Sequence, residues 1–171
     1  MNVEGGDAAV AGAARDHDAP VPDGGVKEML LGFLDYLRES MLRKIEGLSE
    51  EQARRSPVAS GTSLLGLLKH MAVVEAYWVQ RRVAGLGVPE VSGSGFELEP
   101  GDTVASTVAS YRAACARSNE LLAGLDVAEP LARGRRGRNV GWVLVHLVEE
   151  TGRHAGHADI VRELIDGATG R

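Results

Sequence analysis

A single cysteine in 171 residues excludes an internal disulfide, so no covalent staple takes part in folding. Positive charge is also in short supply. Nineteen Lys and Arg stand against 24 Asp and Glu, for a net charge of −5, and such a chain lacks the basic face that phosphate contacts require. Nucleic acid is therefore excluded as a partner. No run approaches the ~18 consecutive apolar residues of a membrane-spanning helix. The first 25 residues carry neither a basic segment nor a continuous apolar one, so they do not read as an export signal, and a reducing cytoplasm is the expected compartment. Alternating runs of β-branched residues are missing too, which argues against a sheet. What is present is ordinary for a soluble domain: 44% hydrophobic and 25% charged residues. A domain near this length buries roughly 68–70% of its unfolded surface, enough for a core of its own.

Residues 1–23 are rich in Ala, Gly, Asp and Pro with no periodic apolar pattern. They cannot bury enough surface to repay the entropy of ordering, and are expected to form a flexible tail. Residues 24–167 carry four helical patterns. The first runs from about Gly25 to Gly47 and places Met29, Phe33, Tyr36, Leu37, Met41 and Ile45 on one face. A short acidic turn at Ser49-Glu50-Glu51-Gln52 has the form of a helix N-terminus. The second helix opens at Thr62 or Ser63 and continues to Gly85, the third runs from Asp102 or Thr103 toward Gly124, and the fourth from Asn139 to Asp166-Gly167. Four amphipathic helices without strands predict an all-α four-helix bundle.

Three of the five histidines fall in one segment of the fourth helix, His146, His154 and His157, with Glu150 between them. At ~100° per residue, and with His146 at zero, Glu150 falls near ~40°, His154 near ~80° and His157 near ~20°. Val143, Leu147, Val161, Leu164 and Ile165 share that arc, which is therefore expected to face the core. Thr151, Ala155, Asp159 and Arg162 fall opposite. An isolated buried carboxylate is unfavourable unless it is paired, protonated or bound to a cation. Glu150 and His154 stand one turn apart, a spacing that lets two side chains meet one ion, and His70 lies in the middle of the apolar face of the second helix. The pattern alone leaves two readings open. His70, Glu150 and His154 could hold a divalent metal with positions left over for water or substrate, or His70 could be a core histidine and His146 a hydrogen-bonding partner of Glu150. Arg81, near ~20° from His70 on the same wheel, is a candidate anion clamp or simply a solvated helix end. Arg133, Arg135, Arg136 and Arg138 crowd the loop before the fourth helix, where they either attract an anion or are merely solvated. Cys115 has no base near it in sequence and reads as packing.

The segments LLGLLKHMAVVEAYWVQRRVAG and WVLVHLVEETGRHAGHADIVRELIDG resemble the DinB-like superfamily, specifically its actinobacterial branch once catalogued as a domain of unknown function (DUF664). The likeness covers residues 24–167. Many members have two histidines four apart in the fourth helix ahead of Arg-Gly-Gln. This chain has Glu150, then His154, then Ala155-Gly156-His157, and a glutamate in that place is similar to the mycothiol-dependent maleylpyruvate isomerase, a zinc enzyme of the superfamily. The resemblance implies His70, Glu150 and His154 as ligands of a divalent ion, zinc or else nickel, with His146 and His157 as hydrogen-bonding or proton-transferring neighbours. It implies a bundle that is often a homodimer. The function implied is a metal-dependent transferase or isomerase that uses a low-molecular-weight thiol of the mycothiol type on a small electrophilic substrate. The alternative is a metal-binding stress-response protein of the same fold without catalysis.

Overall fold

The computed structural model describes residues 23–88, 95–134 and 137–169. The expected tail lies, Asp23 apart, outside these residues, as do Arg135 and Arg136. The elements are α1 (Val26–Arg43), the short α2 (Glu50–Arg54), α3 (Leu64–Glu75) running on into a π-helical segment (Ala76–Val83), α4 (Val104–Leu122) and α5 (Val140–Asp166). Among the described residues there is no strand, only an isolated bridge between Pro130 and Asn139. No helix among them is long and apolar enough to cross a membrane.

The helix starts follow from local chemistry. Ser49 accepts from the Gln52 amide and the Gln52 side chain answers to the Ser49 amide, a capping box that nucleates α2. Ser63, Thr103 and Asn139 cap α3, α4 and α5 through their side-chain oxygens. Gly167 ends α5 with φ 77°, a left-handed conformation that glycine reaches without steric cost.

The long helices run in two parallel pairs. Gly152 of α5 meets Leu37 of α1, and seven residues further along α1, Lys44 pairs with Asp159, so α1 and α5 point the same way. Lys69 pairs with Asp102, while Glu75 lies in the fields of Tyr111 and Cys115, so α3 and α4 are parallel too. Trp78 meets Trp142 and His70 meets His154, which makes α3 antiparallel to α5.

This arrangement revises two of the expected faces. On α1 the buried line is Leu34, Arg38, Met41, Leu42 and Ile45, whereas Met29 and Phe33 are exposed. On α5 Thr151 and Ala155 are buried although the wheel put them outside, and Leu164 is exposed although the wheel put it inside. The reason is that α5 has two covered sides. One faces α3, and the other, carrying Gly152 and Asp159, seats α1, where small residues allow close approach. The core between the pairs is built from Leu65, Leu68, Met71, Tyr111, Leu122, Val143, Leu144 and Leu147, all fully buried. Each such leucine contributes roughly 1.5–3 kcal/mol relative to an exposed one.

Candidate metal centre

His70 projects from the middle of α3, and its surroundings depend on a glycine one turn earlier. A Cβ on Gly66 would stand 2.8 Å from the Phe96 carbonyl oxygen, so only glycine lets the segment around Phe96 lie against α3. Phe96 then stacks on His70, with ring centroids 4.0 Å apart and planes 11° from parallel. Across the bundle His154 presents its ring edge to the same imidazole, centroids 4.8 Å apart at 70°. Glu150, one turn before His154, places Oε2 3.2 Å from His154 Nε2. One donor atom each from His70, Glu150 and His154 lies within 4.8 Å of the other two.

The cluster sets two imidazoles beside a carboxylate. Burial holds the pKa of His154 below the ordinary histidine value, and the neighbouring His70 pushes the same way. The carboxylate of Glu150 is fixed from its other side by Arg153, whose Nη1 is 3.2 Å from Oε1. His154 is only 8% exposed, and its Nδ1 is buried with no hydrogen-bond partner. With one ring nitrogen facing Glu150 and the other unsatisfied, the imidazole carries a polar atom that burial makes costly. Two imidazoles and one carboxylate from two helices suit a divalent cation of the zinc type chemically. Four-coordinate donors stand roughly 3.4 Å apart at zinc bond lengths; the Glu150–His154 pair meets that spacing, and a His70 nitrogen lies within 4.8 Å of both.

The remaining expected residues are placed as follows. His146, one turn before Glu150, is half-buried, its Nδ1 3.8 Å from Glu149 Oε2. Its donor atom falls within 4.8 Å of donors on Glu149 and Glu150 but outside the trio that includes His70. His157 is exposed, its ring centroid 5.5 Å from that of His154. Arg81 is half-buried and directs Nη1 to the Val88 carbonyl at 3.5 Å. Cys115 packs beside Arg38 and Glu75, and burial, followed by the Glu75 charge, pushes its thiol up to about 12. It therefore stays protonated at neutral pH and is no nucleophile.

Two pairings cannot be matched from sequence, although Trp78, with Tyr77 and Arg81, is readable there as a candidate lining for the mouth of the pocket. Arg38 and Glu75 form a buried bidentate pair, both contacts 2.7 Å. Trp78 and Trp142 meet above His146, with Trp78 4.6 Å and Trp142 5.1 Å from its ring, and Arg138 lies 4.0 Å over Trp142. The i, i+4 spacing of Arg138, Trp142 and His146 was readable; the arrival of Trp78 was not.

The fold is that of a crystal structure of a conserved protein from Enterococcus faecalis, with a TM-score of 0.60 over 85% of this chain and 99% of that one at 15% identity. No curated protein matches the sequence. Residues 29–167, which include all four long helices but for the first residues of α1, match the family model of the mycothiol-S-transferases, and the chain thus belongs to that DinB-like family.

Proposed function

We propose that the protein is a divalent-metal-dependent S-transferase that joins a mycothiol-type thiol to a small electrophile in the cytoplasm, with His70, Glu150 and His154 as the metal ligands. The observation that carries this reading is the meeting of three donors from two helices around one point, on a His154 that is buried and whose other ring nitrogen, Nδ1, has no hydrogen-bond partner. A bound zinc or nickel ion supplies Lewis acidity that keeps a thiol ionised at neutral pH. The transfer forms a carbon–sulfur bond, breaks the S–H bond and releases the leaving group of the electrophile. The side chain best placed to take the thiol proton is His146, whose Nδ1 has the Glu149 carboxylate 3.8 Å away as a counter-charge. Its ring packs against Trp78 and Trp142, which restrain it beside Glu150. Arg153 steadies the Glu150 carboxylate. A homodimer belongs to the same proposal, and sedimentation velocity reads it.

The test begins with metal content. Purified wild type dialysed against zinc is expected to retain stoichiometric metal, and His154→Ala and Glu150→Gln to lose most of it. At zinc a hundred-fold above Kd, linkage adds about 2.7 kcal/mol, which raises Tm by about 5–10 °C for a chain of this size. Zinc-loaded wild type should then conjugate mycothiol to a chromogenic electrophile, and the two variants should not. Retained metal with equal turnover in His154→Ala would overturn the assignment; metal binding without any thiol transfer would leave the non-catalytic alternative.

A further inference from the structure

Arg138, Trp142, His146, Glu150 and His154 recur every four residues, so successive members are neighbours one turn apart, and the row winds ~40° around α5 at each step between the residue before its N-cap and the candidate metal centre. Contacts link its members. The Arg138 guanidinium carbon is 4.0 Å from the Trp142 ring centroid, Trp142 and His146 are 5.1 Å apart and 23° from parallel, and Glu150 reaches His154 at 3.2 Å. Trp78 walls one side, 5.4 Å from Trp142 and 5.8 Å from the guanidinium carbon.

The row ends in Arg138, a cation with no ion-pair partner among the described residues. Arg38, Arg153 and Arg162 all donate to carboxylate or carbonyl oxygens. Arg138, half-buried and laid on two indoles, makes cation–π contacts and, among the described residues, no hydrogen bond or ion pair. The nearby acceptors are already engaged: Asn139 Oδ1 takes the Trp142 amide, and the carbonyls of Glu129 and Val127 take the amides of Val140 and Gly141. Stacking restrains the guanidinium before any ligand arrives, so less entropy is lost when its N–H fork engages an anion. A planar fork with free donors matches a carboxylate in bidentate fashion.

We propose that Arg138 anchors a carboxylate of the electrophilic substrate, which makes the substrate class an extended organic acid. This rests on the reading of His70, Glu150 and His154 as the reacting end. Arg138 stands before the N-cap of α5, two turns from His146 and three from Glu150, so the carboxylate is remote from the bond that forms and its recognition is felt in KM rather than kcat.

The chain has two tryptophans, and both flank Arg138, so fluorescence excited selectively in tryptophan reports on this place. Metal-free wild type is titrated with 4-phenylbutyrate and, separately, with its uncharged isostere 4-phenylbutyramide. The acid is expected to bind at least ten-fold more tightly. Arg138→Gln should abolish that preference, and Arg138→Lys, which keeps the charge without the fork, should retain part of it. Equal binding of acid and amide by wild type overturns the proposal, whatever the variants do, and so does an undiminished preference in a folded Arg138→Gln. His154→Ala should titrate like wild type while losing metal. If it keeps its metal and the preference persists, the metal assignment fails and the anion site survives. With a matched pair of acid and amide electrophiles and one thiol, Arg138→Gln should raise KM at least ten-fold for the acid alone. An equal rise for both would place the anion on the thiol and overturn the assignment to the electrophile.

Discussion

Arg38 and Glu75 are 3% and 0% exposed, and two charges withdrawn from water are tolerable only because each meets the other. Burial works to lower the pKa of Arg38, yet the charge and hydrogen bonds of Glu75 overrule it, and the net shift is upward. Asp35 and Asn119 take the remaining donors on Nη1, so the pair ties α1 to α3 and α4 at one point. Removing one partner strands the other. Glu75→Gln is expected to cost about 3–5 kcal/mol, read as a lower urea midpoint at constant slope. Arg38→Met combined with Glu75→Leu removes both charges and should recover most of that loss; if the double variant is as unstable as the single one, the ion pair is not what the site depends on. Cys115 beside it is unlike a catalytic thiol for the same reason, since burial next to a carboxylate disfavours a second negative charge.

Helix ends are written in nearest neighbours, which is why Ser63, Thr103, Asn139 and Gly167 could be read from sequence and reappear in the structure as caps. Which face of each helix turns inward is written in the partner. Thr151, outward on the wheel, is fully buried once the helices are packed, and Arg38 could not be matched with Glu75 before their helices were known to touch. The wheel of the second helix also assumed one periodicity throughout. From Ala76 the winding is π-helical, and the Ala84 amide donates to Val79, five residues back. The widened turn leaves Tyr77 exposed, buries Val79 and Val83, and brings Trp78 against α5. The inward position of His70 was legible because it precedes this change. Gly66 has a comparable role at the other end of α3. Gly66→Ala gains about 1 kcal/mol of helix propensity, but its Cβ would stand 2.8 Å from a backbone oxygen, and forcing that segment away costs typically 1–3 kcal/mol. The variant is expected to be no more stable than wild type and, with Phe96 displaced from His70, to bind zinc more weakly. A gain in stability with unchanged zinc affinity would refute the close packing.

Over the whole molecule, α3 and α4 run parallel, so the stretch that leads into α4 has to be fastened beside the start of α3. Lys69 on α3 does this by reaching Asp102 Oδ2 and the Glu97 carbonyl, at 2.8 and 2.9 Å. Asp102 Oδ2 also accepts the Glu99 amide at 2.7 Å, and its backbone oxygen takes the guanidinium of Arg54 from α2. The hydrogen bond from Lys69, then that from the Glu99 amide, holds the Asp102 carboxyl below the ordinary aspartate range. A carboxylate whose folded pKa is depressed binds fewer protons folded than unfolded, so its contribution is fully present above the unfolded value near ~3.9. That contribution is lost as pH falls through the lower folded value. The side chain is partly solvated, which limits the contribution to about 0.2–1 kcal/mol. Asp102→Asn should therefore lower stability at pH 7 by that amount and converge on wild type as the pH falls through the depressed folded pKa of Asp102, because beyond it both carry a neutral side chain at this position. Urea unfolding from pH 7 down through the acid range measures the difference, and a deficit that does not shrink with falling pH would show that the amide fails for a reason other than lost charge. If convergence is seen, the same measurements run with Lys69→Met should show it again, since the two groups then hold this stretch as one unit.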